Sequence, residues 1–283
     1  MQSAFKIIHQ GLNRCLHVFI RSNQHFFRTQ STQFAASLSY STLLAVVPLA
    51  VFLVYLSLQI EALSSFFILA KEQAFAQLLP TSQASIEIYL AKAAQNITSF
   101  SYLSLFIVFL SIVWLSLAIE KAFNHIWQVK IPRHLMLRLP THLILWLFAP
   151  FFVIISIMLT TWFASLPYLS SFQQHISVLS YIMPWATASF ALFLLYFFVP
   201  NTKVLAKHAL FTAMLVAALF ELSKWLFTLY ITKIAMYEKI YGALASLPIF
   251  MLWVYITWLI VLWGVSLNIT LQSLSQSQQG HPE

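Results

Sequence analysis

Aspartate is missing altogether: all seven acidic residues among the 283 are glutamate. Charge of either sign is scarce, at 8% of residues, where a soluble domain carries roughly 25%. No water-facing surface can be assembled from that supply, so a soluble globular protein is excluded. The single cysteine, Cys15, rules out an intrachain disulfide and any CxxC metal or redox site. Only four glycines occur (Gly11, Gly242, Gly264 and Gly280), and neither a P-loop nor a GxSxG elbow is present. Without aspartate, dinuclear nuclease or phosphatase centres lack their usual carboxylate-rich ligand set. There is no HExxH, and His9, His17 and His25 recur eight apart, which is ~12 Å along a helix and too far to share an ion. No enzyme is expected, and no metal or cofactor. The first 33 residues also lack an apolar run of the kind a cleaved signal peptide needs, so the first span is expected to target the chain.

What is abundant is apolar: 60% hydrophobic residues and a mean hydropathy of +0.82. A helix needs ~20 residues to cross the hydrocarbon core. The uncharged runs predict an all-α integral membrane bundle of six transmembrane helices, at about 34–58, 100–119, 141–165, 178–199, 207–231 and 244–271. The third and fourth come from one long uncharged stretch between Arg138 and Lys203, divided around Pro167, Gln173, Gln174 and His175. Residues 1–33 form an amphipathic tail and 272–283 a short polar one. Between the first two spans, residues 61–99 read as two amphipathic helices broken at Pro80. A packed connector is expected of them, with a periplasmic cap over a cavity as the alternative.

Orientation follows from lysine and arginine in the flanks. Ten lie on the side of the N-terminal tail, including Lys6, Arg14, Arg21, Arg28, Lys130, Arg133, Lys203 and Lys207. Four lie opposite (Lys71, Lys92, Lys233, Lys239), offset by Glu61, Glu72, Glu87 and Glu238. Both termini are therefore expected in the cytoplasm. The basic residues of the tail are about seven apart with apolar residues between, which suits a membrane surface. Nucleic-acid phosphates call for a denser basic surface, so no nucleic-acid partner is expected. Membrane lipids are, with a second copy or envelope proteins as further candidates.

"LFELSKW" places Glu221 and Lys224 inside the fifth span. At i and i+3 they share a helix face and can pair. An ionised residue at mid-bilayer costs ~2.5–3.5 kcal/mol, which disfavours an unpaired, lipid-facing placement. The pair reads either as a polar site facing the bundle interior or as a structural ion pair fastening two helices. Met214, Ala217 and Ala218 are expected close to that face, where small residues admit a neighbour. Glu120 and Lys121 sit at an expected helix end and should reach the headgroups. "SLSYSTLLAVVP" gathers Ser37, Ser39, Tyr40, Ser41 and Thr42 ahead of Pro48; such hydroxyls either compensate carbonyls freed by the proline or line a wet cavity. Gly242 and Pro248 in "YGALASLPIF" open span six, as an ordinary helix start or as a broken, re-entrant piece.

Four blocks, "FAASLSYSTLLAVVPLAVF", "IEKAFNHIWQVK", "ALFELSKWLFTLYI" and "YGALASLPIFMLWVYITWLIVLWG", resemble in order the signatures of the YihY/BrkB family. Tyr40, Pro48, Asn124, Trp127, Glu221, Lys224, Tyr241, Gly242 and Pro248 fall within them. The resemblance implies a six-helix bacterial inner-membrane protein, in a family named for a virulence factor, some of whose members have been associated with lipid or lipopolysaccharide export. It supplies no catalytic residue. The family's old label, ribonuclease BN, is regarded as a misassignment, and the missing ligand clusters here also speak against RNA processing. The expected function is transporter-like handling of lipid or another envelope component. Its cavity would be lined by spans one, five and six, with Glu221, Lys224, Ser37 and Tyr40 as polar contacts. A non-transporting membrane scaffold for envelope assembly is the alternative.

Overall fold

The computed structural model describes residues 2–59, 102–129, 173–233 and 246–279. They form six helices: α1 (Gln2–Arg28), α2 (Ser31–Gln59), α3 (Tyr102–Ile126), α4 (Gln173–Phe198), α5 (Ala206–Lys233) and α6 (Ser246–Gln279). No strand occurs among the described residues. Three helices hold stretches long and apolar enough to cross a membrane, at Phe106–Ile126, Ala206–Ile231 and Leu247–Gln276, and Trp185–Phe198 is a shorter apolar helix. The expected span 141–165, the amphipathic pair in 61–99, and Tyr241 and Gly242 lie outside the described residues.

The amphipathic tail is α1, and its surface divides into three stripes. Ser22 and Phe26 are buried, Leu16, Phe19, Ile20 and Phe27 are exposed and apolar, and Arg21 and Arg28, seven residues apart, are exposed along a third stripe. The helix stops in two residues. Gln30 takes a left-handed φ of 52°, and the Thr29 hydroxyl donates to the His25 carbonyl at 2.8 Å and meets the Ser31 hydroxyl at 2.9 Å. α3 ends similarly at Gln128 (φ 54°), with the Val129 amide reaching back to the Asn124 carbonyl at 2.9 Å. Few glycines are available, and glutamine accepts the left-handed turn at both places.

α6 is the hub. At 34 residues it is ~51 Å long, well beyond the ~30 Å hydrocarbon core. It packs against α1, α2 and α5, with smaller contacts to α3 and α4, while α2 pairs with α3 and α4 with α5. Its apolar stripe supplies Val261, Leu262 and Val265 to a core that also holds Leu38, Ala122, Phe123, Ile126, Tyr196 and Val216. Ala209, Ala213 and Ala217 of α5 are all fully buried, at a four-residue period that lets a neighbouring backbone approach. Ala217 thus lies in the helix contact as expected, whereas Met214 and Ala218 are exposed.

Glu120 corrects the expected headgroup placement. α3 runs seven residues past Ile119, so Glu120 lies inside the helix and is 3% exposed, while Lys121 beside it is exposed. The "NH" after the acid continues the helix to Ile126 instead of ending it.

Candidate functional site

Polar side chains in an apolar bundle are best understood by what each one holds. Asn124, one turn after Glu120, donates from its amide to Glu120 Oε1 at 3.3 Å and accepts the Asn201 backbone N–H at 2.8 Å. Gln272 of α6 accepts the Leu205 N–H at 3.1 Å and donates to the Lys203 carbonyl at 2.9 Å. The turn between α4 and α5 is therefore pinned by two amides from two other helices. Trp127 packs against the core beside this junction.

Further hydrogen bonds tie α6 to its neighbours. Trp258 Nε1 donates to Thr42 Oγ1 at 3.0 Å, Trp263 Nε1 donates to Asn23 Oδ1 at 3.0 Å, and the Tyr196 hydroxyl donates to the Val261 carbonyl at 2.9 Å. His25 Nδ1 lies 3.4 Å from Ser266 Oγ. Burial, and secondarily the positive charge of Arg28, holds the His25 imidazole below its usual range.

Glu221 and Lys224 pair as their spacing allows, Nζ to Oε1 at 2.7 Å. The Lys224 side chain is 15% exposed and that of Glu221 35%, so the pair sits at the edge of the buried arc of α5. Lys224 also lies 5.5 Å from the centre of the Phe220 ring, which helps hold a cation in an apolar setting. The Thr228 hydroxyl donates to the Lys224 carbonyl at 2.9 Å.

The hydroxyl cluster of α2 splits between two faces. Ser39 and Ser41 are buried, whereas Ser37 and Tyr40 are exposed, Tyr40 at 57%. Ser39, Ser41 and Thr42 donate to the carbonyls of Ala35, Ser37 and Leu38. None of these is the carbonyl of Leu44, the one four residues before Pro48. The hydroxyls thus satisfy themselves along their own helix, and α2 continues through Pro48 to Gln59. Pro248 lies in the first turn of α6, where a missing N–H costs nothing.

An open, apolar groove of about 350 Å³ runs between α1, α5 and α6. Phe26, Phe27, Leu219, Leu259, Ile260 and Trp263 wall it, with Asn23 and, from the first turn of α2, Thr32 as its polar lining. Glu221, Lys224, Ser37 and Tyr40 are not among its lining residues. The structure thus does not bring the four candidate polar contacts into this groove. Among the described residues no three His, Cys, Asp or Glu side chains are grouped to hold a metal ion.

Sequence reasoning passed over Gly264, Thr212, Asn268 and Gln272. Gly264 carried a signal: it is one of only four glycines and stands in the middle of an apolar helix. A Cβ there would fall on the Tyr196 hydroxyl and 2.7 Å from Val216 Cγ2. Three helices meet at that point with no room for a methyl group.

Comparison with known proteins places these features in a wider group. A family profile described as Virulence factor BrkB matches residues 23–283. The chain is 37% identical over 218 residues to a UPF0761 membrane protein of Idiomarina loihiensis, covering 75% of each chain. It is 33% identical over 258 residues to one of Pseudomonas paraeruginosa, covering 90% of this chain and 63% of that one. A third, from Alkalilimnicola ehrlichii, is 34% identical over 262 residues, covering 89% of this chain and 57% of the relative. Against the last two relatives the chain thus spans about three-fifths of their length. No solved structure matches it.

Proposed function

Because the chain belongs to the Virulence factor BrkB family of membrane proteins, we propose that it handles lipid in a transporter-like manner in the bacterial inner membrane. The protein is six-spanning, with both termini cytoplasmic. The observation that carries this reading is the groove of about 350 Å³ between α1, α5 and α6, apolar along its walls and open at its side. Pockets of roughly 300–1,000 Å³ with apolar walls and few polar groups are the usual form of a small-molecule site. Here the lining of Phe, Leu, Ile and Trp, with Asn23 and Thr32 as its polar members, matches an acyl chain joined to a polar linkage. The exposed apolar stripe of α1 (Leu16, Phe19, Ile20, Phe27) lies along the same helix and suits a lipid surface. Glu221 and Lys224, on the opposite side of α5 from Leu219, are a second polar feature that moving the helix would carry with it.

Purified protein in vesicles containing a fluorescent phospholipid tests this reading. Wild type should accelerate exchange of the lipid between leaflets. Leu259→Trp, which fills the groove, should abolish the acceleration while leaving the melting temperature close to wild type. Glu221→Gln and Lys224→Met should reduce it if the pair serves transport. An absence of flux in wild type rejects lipid handling and leaves a scaffold for envelope partners. For the orientation, a periplasm-active reporter fused after Ser99 should be active and one fused after Arg133 silent; the reverse pattern overturns it.

A further inference from the structure

Six buried polar side-chain atoms have no hydrogen-bond partner within the chain among the described residues: His208 Nδ1, Thr212 Oγ1, Trp253 Nε1, Thr257 Oγ1, and both amide atoms of Asn268. All belong to α5 or α6. This departs from the habit of many other helical hydroxyls among the described residues, which turn back to the carbonyl four residues earlier. Ser22, Ser39, Ser41, Thr42, Ser189, Thr228 and Thr270 all do so. Thr212, fully buried, makes no such bond to the carbonyl of His208.

Helical geometry places these atoms on one seam. At about 100° per residue, positions 253, 257, 264, 268 and 272 share one stripe of α6, and 208, 212, 216, 223 and 227 share one stripe of α5. Three contacts set the antiparallel register. Gln272 bonds to Lys203 and Leu205, Gly264 abuts Val216, and the Trp253 ring meets that of Phe227 at a tilt with centroids 4.8 Å apart. Asn268 is then level with Thr212, and His208 is one turn nearer the α4–α5 turn. Asn268 is 1% exposed and Thr212 0%.

We propose that this end of the α5–α6 seam is a hydration site, in which Thr212, Asn268 and His208 hold ordered water that enters beside the turn at residues 203–205. The chemistry selects the occupant. Asn268 offers two donor hydrogens and an acceptor, Thr212 one of each, and His208 a ring nitrogen of either role. The set contains no carboxylate to balance a cation, and the nearest lysines, Lys203 and Lys207 at the turn, are exposed to solvent rather than turned into the seam as partners for a buried anion. Water alone satisfies donors and acceptors together, and buried polar groups of this kind are its usual hosts. The packed contact of Gly264 with Val216 and Tyr196 ends the site on the inner side. The seam is therefore wet at one end and closed at its centre. This inference stands apart from the lipid-handling proposal, since the groove shares none of these residues.

Two measurements on the full chain in lipid vesicles decide it. In a Cys15→Ser background, Thr212→Cys should react with a small water-soluble methanethiosulfonate at least tenfold faster than Ala213→Cys. Ala213 is equally buried, one position away and about 100° round the helix. Equal rates overturn the proposal. Independently, Asn268→Leu should lower the melting temperature, because the bound water loses the amide that holds it. A raised melting temperature would show that the amide was a dry, unsatisfied group and would also overturn it. Should Asn268→Leu fail to accumulate, the labelling rates alone separate a wet seam from a dry one.

Discussion

Gly264 is the position at which a single methyl group should be felt most. An added Cβ would lie 2.7 Å from Val216 Cγ2 and 2.8 Å from Tyr196 Cζ, where 3.4 Å is the near limit of ordinary contact, and it would overlap the Tyr196 hydroxyl outright. Two effects oppose each other. Alanine is favoured over glycine within a helix by about 1 kcal/mol. Against that, overpacking a well-packed core costs about 1–3 kcal/mol, and displacing Tyr196 breaks its 2.9 Å bond to the Val261 carbonyl, worth about 1 kcal/mol. The steric and hydrogen-bond terms win, and Gly264→Ala should destabilise the protein by about 1–3 kcal/mol net. Thermal unfolding of the detergent-solubilised protein should show a melting temperature lower by several degrees, at roughly 2–4 °C per kcal/mol for chains near this size. A double-mutant cycle sharpens the test. Tyr196→Phe removes the closest of the three clashing atoms, so the double variant should lose less than the two singles together. An unchanged or raised melting temperature for Gly264→Ala would show that helix propensity prevails and that the three helices do not meet as described.

The remaining predictions concern the pinned turn and the docking of α1. Gln272→Leu removes both side-chain bonds to the α4–α5 turn, costing about 1–3 kcal/mol for the groups left unpaired. Limited proteolysis should then cut within residues 200–205 faster than in wild type, and unchanged cleavage would deny the clamp. Asn124→Ala should act on the same turn from the other side, through Asn201. For His25, the folded-state pKa lies below the usual histidine value, so the docked helix favours the neutral ring. The stabilisation it gives is full above about pH 6.5 and declines as pH falls below that value, as protons bind the undocked state first. Amide exchange in α1 should therefore rise on acidification from pH 7 to 5 in wild type and rise less in His25→Gln; equal responses would remove His25 from the cause.

How far the sequence could be read depends on the range of the force involved. Composition and hydropathy are properties of the solvent each segment must enter, so an all-helical membrane protein was legible without coordinates. So was the amphipathic α1, whose stripes follow from helical spacing alone. The Glu221–Lys224 pair was legible too, because i and i+3 are neighbours within one helix. Cross-helix relations were not. Ser37 and Tyr40 read like Ser39 and Ser41 in the sequence, and only the docking of α2 on α3 and α6 divides exposed from buried hydroxyls. Glu120 looked terminal because a charge usually ends an apolar run, yet α3 continues to Ile126 and Asn124 meets the carboxylate from one turn below. The register of α5 on α6, which aligns Thr212 with Asn268 and Val216 with Gly264, depends on packing between residues about 50 apart in the chain. The sequence by itself determined the solvent and the helices. Tertiary structure decided which of their polar atoms meet partners, because partnership across helices is a matter of distance in space, which one-dimensional spacing does not encode.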